Sequence, residues 1–315
     1  MKPRLTLIPL LMFAAIVSAT AALAQDKGSV ELKPLPPLAN SSDPKTGAKE
    51  LFGRKVLPAA MPARVIGFYA KGCIAGAEAL PITGETWQVM RLSRNRNWAH
   101  PAMVKLLQRL AANAHKDAGW PGILVGDMSQ PRGGPMFTGH ASHQVGLDAD
   151  VWLTPMPDRQ LSRNEREEMS AVNIVRSDRL DIDPHVWTPG HLAVIRDAAQ
   201  ERNVQRIFVN AAIKKALCRG AKGDRNWLSK VRPMYGHDYH FHIRIKCPSG
   251  NGECEGQPEP TEGEGCSAAD LAYWFKDSTL HPKPPKEPPK RKPPMTMAQL
   301  PAACRQVLVA PDAKQ

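Results

Sequence analysis

The sequence predicts an α+β domain: a central antiparallel sheet with flanking helices and long loops, held together by disulfides. Three observations point there. Stretches with helical spacing and stretches with strict alternation are interleaved along the chain, with no repeat and no regular strand–helix alternation of the kind that builds a doubly wound sheet. Two of the alternating stretches are dense in histidine and aspartate. The six cysteines are an even number, which in an exported chain reads as a disulfide framework.

Export is read from the start of the chain. Lys2 and Arg4 precede an apolar run from Leu5 to about Val17, and Ala22-Leu23-Ala24 supplies a small-x-small site ahead of Gln25. That is the layout of a cleaved signal peptide over residues 1–24. The run is short for a spanning helix, which needs roughly 20 apolar residues, so no membrane span is expected after cleavage. Cleavage removes two cations and no acid, which takes the formal charge from +12 to +10. A strongly basic cytosolic protein would suggest nucleic acid. Export removes that partner and makes an anionic polymer of the cell envelope the better fit.

The elements follow in order. Residues 25–60 are rich in Pro, Lys and small residues without a clear period and read as an extended arm. An alternating pattern begins at Val65, Gly67 and Tyr69. Met103, Leu106, Leu107 and Leu110 fall at helical spacing within 101–119, and Gly119 is a natural stop. "GILVGDMS" (122–129) reads as a buried strand. Thr188 and Pro189 read as N-cap and first residue of a helix over 188–203. "VQRIFVN" (204–210) reads as a strand, followed by a short helix through "AAIKKALC". The core domain so read spans 61–248. Beyond it, 249–315 is first acidic and turn-rich, then Pro/Lys-rich: 282–294 has seven prolines and five basic residues in thirteen positions and reads as an extended spacer. Cys304 lies past this stretch, so the tail is expected to be tied back to the domain.

None of the six cysteines, Cys73, Cys218, Cys247, Cys254, Cys266 and Cys304, sits in a C-x-x-C pair, which argues against a structural zinc site. Six cysteines allow 15 connectivities. Of these, the short Cys247–Cys254 loop is the most natural single pair.

The chemistry concentrates in two stretches. In "HASHQVGLDADVW" (140–152), Leu147, Ala149 and Val151 alternate with Asp148, Asp150 and Trp152, so one set enters the core while Asp150 faces a cleft. Gly146 permits a tight turn that folds His143 back toward Asp150. In "YGHDYHFHIRIKC" (235–247), Phe241, Ile243 and Ile245 form an apolar face and His240, His242 and Arg244 the other, with His237 in the lead-in loop. A lone histidine is more often a hydrogen-bonded or surface residue than a ligand. Here five of ten histidines fall in two short clusters beside apolar strand patterns. A catalytic zinc ion takes three protein ligands and keeps one position open. His143, Asp150 and His242 make such a set, which leaves neighbouring histidines for proton transfer.

These residues resemble a known pattern. His-x6-Asp followed far downstream by His-x-His, here His143…Asp150 and His240-Phe241-His242, is similar to the penicillin-insensitive murein endopeptidases. They belong to a wider group with lysostaphin-type enzymes, D-Ala-D-Ala metallopeptidases and the hedgehog signalling domain. The resemblance runs from "GCIAGAEALP" and "WQVMRLSRNRNWAHP" through "GDMSQPRGGPMFTGHASHQVGLDADVW", "RIFVNAAIKKALC" and "DRNWLSKVRPMYGHDYHFHIRIKCP" to the Pro-rich, cysteine-ended tail, and so spans most of the mature chain and all six cysteines. It implies a hedgehog/D-Ala-D-Ala-peptidase-like fold with disulfides Cys73–Cys304, Cys218–Cys266 and Cys247–Cys254. It implies Zn2+ on His143, Asp150 and His242. It places His240 as base or transition-state stabiliser and His237 as a further active-site histidine. His140 and Asp178 match positions that hold a second ion in family members; where that pattern continues with a histidine three residues after Asp178, this chain has Asp181.

The implied reaction is hydrolysis of D-alanyl–meso-diaminopimelyl cross-links of peptidoglycan in the periplasm, insensitive to penicillin because no serine acyl-enzyme forms. A zinc D,D- or L,D-carboxypeptidase acting on the same stem peptides, and a non-catalytic murein-binding module, are the alternatives. Arg132 and Arg244 are read either as partners of stem-peptide carboxylates or as solvated surface charges. Monomer and homodimer are both compatible with these residues.

Overall fold

The computed structural model describes residues 35–138, 140–285, 287 and 293–314; the signal-peptide reading and part of the Pro/Lys-rich stretch lie outside the described residues. Ten strands form: β1 (Arg64–Phe68), β2 (Lys71–Ala75), β3 (Glu78–Ala79), β4 (Trp87–Val89), β5 (Trp98–Ala99), β6 (Ile123–Val125), β7 (Asp148–Pro155), β8 (Val204–Val209), β9 (Val231–Pro233) and β10 (His240–Ile245). The helices are α1 (Ala48–Phe52), α2 (Pro101–Asp117), α3 (Arg163–Glu168), α4 (Pro189–Gln200), α5 (Ala211–Gly220), α6 (Ala268–Ala272), α7 (Asp277–Leu280) and α8 (Ala303–Val309). Among the described residues, no helix is long and apolar enough to cross a membrane.

Six strands make the central sheet, in the order β4-β6-β7-β10-β8-β9. Its middle is antiparallel, but β4 pairs with β6 and β8 with β9 in parallel. The sheet is therefore mixed, which corrects the expectation of an antiparallel one. Both outermost pairs involve three-residue strands, too short to leave a readable alternation. The strand expected over 122–129 is likewise cut to Ile123–Val125; past it, Gly126 and Asp127 still bond the backbone of Asp150, which keeps Asp127 beside the cleft.

The apolar face of the sheet is closed by helices. Met103, Leu106, Leu107 and Leu110 of α2, Val194 and Ile195 of α4, and Ile213 and Leu217 of α5 share one core with Ala149, Val151, Phe241 and Ile243. Each helix starts on a prepared cap. His100 accepts from the Ala102 amide ahead of Pro101, and Asn210 accepts from the Ala212 amide. At α4, His191 Nδ1 accepts from the Thr188 amide at 3.0 Å.

A second, smaller core lies across β1 and β2. Phe52 of α1 and Cys304 and Val307 of α8 pack there with Ile66 and Cys73. Disulfides join Cys73 to Cys304, Cys218 to Cys266 and Cys247 to Cys254, and among the described residues no cysteine is free. Arg132 secures the same region. It is wholly buried and donates to the carbonyls of Leu57, Val307, Leu308 and Ala310 and to Asp312 Oδ1. It is thus a staple for the chain's end, neither a surface charge nor a substrate contact.

Candidate metal centre

β7 and β10 lie antiparallel in a register that sets His242 opposite Asp150 and Arg244 opposite Asp148. Opposed residues on one face have their Cβ atoms about 5 Å apart. The alternation that sends Ala149, Val151, Phe241 and Ile243 into the core therefore places two carboxylates, two histidines and an arginine together on the other face.

Asp148 is the anchor of this group. It is fully buried and accepts from His242 Nε2 (2.8 Å), Arg244 Nε (2.7 Å) and the backbone N–H of His143 (3.0 Å). Burial disfavours its charge, but Arg244 and His242 outweigh that and hold the carboxyl well below its usual range. The Arg244 guanidinium also lies 4.0 Å above the Tyr69 ring and bonds Gln257. Arg244 is consequently a buried counter-ion, which replaces both sequence readings of it.

With Nε2 of His242 engaged by Asp148, its Nδ1 is left 3.3 Å from Asp150 Oδ1. His143 follows a sharp local path: its own φ is +66° and that of Gly146 is +70°. A Cβ on Gly146 would come within 2.6 Å of Ile74 Cδ1 and 2.9 Å of the His100 nitrogen, so the turn requires glycine. The turn delivers His143 Nε2 to 3.5 Å from Asp150 Oδ1. His240 Nε2 stands 3.8 Å from the same oxygen, and His140 Nε2 3.5 Å from Asp150 Oδ2.

These distances are long for hydrogen bonds, and the polar atoms are buried. Both ring nitrogens of His143, Nδ1 of His240 and Oδ1 of Asp150 have no hydrogen-bond partner. The contrast with His191 is informative. It is buried too, yet its Nδ1 accepts from Thr188 and its Nε2 donates to the Leu153 carbonyl. Orphaned buried polar groups are costly, and a cation among them would offset that cost. Ligand atoms about 2.0–2.1 Å from a tetrahedral zinc ion stand about 3.3 Å apart, close to the 3.3 and 3.5 Å separations of His242 and His143 from Asp150. The donor set and spacing fit a zinc ion.

His140, His143 and Asp150 also place one ligand atom each within 4.8 Å of one another. His140 Nε2, however, bonds Asp127 Oδ2 at 3.1 Å, and Asp127 is in turn paired with Arg94 and Arg96. That network draws His140 to the edge of the cluster. Asp178 is not part of it: its exposed carboxylate pairs with Arg176, and Asp181 pairs with Arg219 and Lys215.

Asp127, which sequence reasoning missed, is a third buried carboxylate beside Asp148 and Asp150. Its partners come from 13 to 33 positions away, and a single Asp after an apolar run carries no signal of them.

His237 and His240 stand beside the cluster with ring centroids 4.8 Å apart. His237 Nδ1 lies 2.9 Å from the Tyr235 carbonyl, which only accepts, so Nδ1 carries the proton and Nε2 keeps its lone pair. Burial lowers the pKa of both, that of His240 to about 4 despite Asp150, so both are neutral at pH 7. In His242, burial is outweighed by Asp148 and Asp150, which push the imidazole up to about 9. A cleft of about 280 Å³ opens beside them, lined by Asp150, His140, His240, Tyr239, Trp152 and Arg94.

The chain matches the family model of penicillin-insensitive murein endopeptidases over residues 65–309. Curated relatives named penicillin-insensitive murein endopeptidase include one from Haemophilus influenzae, 44% identical over 255 residues that cover 79% of this chain and 84% of the relative. Others come from Klebsiella pneumoniae subsp. pneumoniae and Escherichia coli O45:K1, each 42% identical over 246 residues, covering 78% of this chain and 86% of the relative. The chain belongs to this family.

Proposed function

We propose that the protein is a zinc-dependent endopeptidase of the periplasm that hydrolyses D-alanyl–meso-diaminopimelyl cross-links in murein. The observation that carries the zinc reading is the convergence of buried ligand atoms without hydrogen-bond partners, His143 Nε2 and Asp150 Oδ1, with His242 Nδ1. Family membership supports the substrate.

His143, Asp150 and His242 would hold one ion. Bound there, zinc supplies a Lewis acid for the scissile carbonyl and lowers the pKa of a water molecule toward about 7. Asp148 fixes the tautomer of His242 by accepting from Nε2, the outer-shell role common to metal-bound histidines. His237, with its Nε2 lone pair free, accepts the proton of the attacking water and returns it to the leaving amine. His240, neutral and packed against His237, stabilises charge developing on the carbonyl oxygen. No side-chain nucleophile takes part, so there is no serine for a β-lactam to acylate.

The test is incubation of the zinc-loaded protein with purified cross-linked muropeptide dimers, with and without chelator, followed by separation of products. Conversion of dimers to monomers, blocked by chelator and by His143→Ala, is expected. Dimers that persist while terminal D-alanine is released would identify a carboxypeptidase instead. Dimers that bind but stay intact would identify a murein-binding module.

A further inference from the structure

We infer that Arg94 is a specificity-determining residue: it binds the carboxylate that meso-diaminopimelate carries on the carbon next to the scissile nitrogen. The inference rests on the endopeptidase reading above and goes beyond it by naming the group that selects the leaving strand.

Three arginines come from one short segment at the cleft, and they are not equivalent. Arg96 is buried, with NH1 2.7 Å from Asp127 Oδ2 and NH2 donating to the Thr138 carbonyl at 3.0 Å. Arg91 donates to the carbonyls of Arg166 and Glu167 and lies with its guanidinium 5.3 Å from the Trp152 ring. Both are committed to the protein. Arg94 is held at one point, NH1 to Asp127 Oδ2 at 3.0 Å, and its side chain is 45% exposed. Among the described residues Asp127 is its one partner, so Nε and NH2 remain as donors.

Its placement is as specific as its freedom. The backbone on either side, Arg91 at φ +56° and Asn95 at φ +50°, is left-handed and brackets one tight turn, Leu92–Arg94, in which Leu92 is buried and Arg94 lines the cleft. Asp127, which tethers Arg94, also contacts His140, and His140 contacts Asp150. Arg94 thus stands beside the proposed metal ligands without being one. It also lines a second cavity of about 450 Å³ on its far side, where Arg54, Lys55 and Phe137 are found. Arg94 thus borders both spaces, and the second one holds further cations.

The cross-link presents the matching group. The amine released by cleavage is on the same carbon as a carboxylate, so that carboxylate sits two bonds from the scissile nitrogen. A planar guanidinium with free donors is the side chain suited to it. D-Alanine, on the acyl side, offers only a methyl group there.

The experiment compares two muropeptide dimers with the zinc-loaded full chain, one with this carboxylate free and one with it amidated. Wild type is expected to cleave the free form with a kcat/KM about ten- to a hundredfold higher, the range of one charge-assisted contact. Arg94→Gln should lose that preference, cleaving the two dimers with similar kcat/KM because its loss falls mainly on the free form, with its zinc content intact. Arg94→Lys should restore part of the preference. Equal cleavage of both dimers by wild type would overturn the assignment while leaving the endopeptidase reading in place. A loss in Arg94→Gln that is equal on both dimers would overturn it too, since that is the mark of a structural role through Asp127. Cleavage of neither dimer by wild type would overturn the endopeptidase reading and this inference with it.

Discussion

The floor of the cleft and its rim are built on different principles. On the floor, Asp148, Asp150, His242 and Arg244 project from two paired strands, and their relative positions follow from the register of β7 and β10. Asp148 has its charge closed by a histidine, an arginine and a backbone amide. On the rim, Arg94, Asp127, His140, His237 and Tyr239 come from loops and short turns, and two of the described left-handed residues, Arg91 and His237, lie there. The difference separates two tasks. In the proposed function, groups that would share one ion need fixed geometry, which a sheet supplies. Groups that meet a substrate need reach and exposure, which loops supply. His143 joins the two, coming from a loop but aimed into the floor by the turn at Gly146.

Floor and rim variants are expected to fail differently. The largest effect is expected at the floor. Asp150→Ala should empty the site of zinc, measured by elemental analysis, and lower kcat/KM by about a thousandfold or more, because the Lewis-acid contribution disappears outright. A variant that keeps its zinc and its activity would show that the ion is held by other residues.

Next comes the rim. His237→Ala should retain zinc at the wild-type level and lose about 10² to 10⁴ in kcat, the range of a missing proton-transfer group. Should zinc vanish together with activity, His237 would belong to the floor and the comparison would have to be redrawn.

A smaller effect is expected at Asp148→Asn, which touches no substrate. The loss of its charge leaves Arg244 and His242 less well matched, and metal affinity should fall about 10- to 100-fold. Competition with a zinc chelator would read this, and added zinc should restore most of the activity. Activity that stays low at saturating zinc would give Asp148 a role beyond orienting His242.

The same division explains what could be read from the chain. The floor was legible because strand alternation is a period-two signal: Phe241, Ile243 and Ile245 inward force His240, His242 and Arg244 outward, and Leu147, Ala149 and Val151 do the same for Asp148 and Asp150. The rim was not, since Asp127 acquires its meaning from Arg94, Arg96 and His140, which approach only in the folded chain. Arg132 and Arg244 were misread for a related reason. Composition treats an arginine as a surface charge, whereas Arg132 is satisfied by carbonyls 175 to 178 positions away and Arg244 by a carboxylate on the neighbouring strand. The parallel edges of the sheet escaped because β4 and β9 are three residues long.

The smallest expected effect tests whether a perturbed ionisable group must belong to either region. Lys214 of α5 is completely buried, and its ammonium donates to the carbonyls of Leu228 and Glu264. Burial, assisted by Arg232, lowers its pKa from 10.5 to about 7, although it contacts none of the cleft histidines. Such a shift marks functional groups only in a probabilistic sense, and here its cause is structural. The folded-state pKa lies below the unfolded one. Unfolding therefore takes up a proton between about pH 7 and 10.5, and stability contributed by this group rises with pH across that window. Lys214→Met removes the linkage. The stability difference between wild type and variant, from urea unfolding, should thus shift in favour of wild type from pH 6.5 to 9.5, while kcat/KM on muropeptide dimers stays the same in both. A pH-independent difference would mean that Lys214 stays charged in the fold, its two carbonyl partners offsetting the burial. A fall in kcat/KM would tie this buried lysine to the cleft after all.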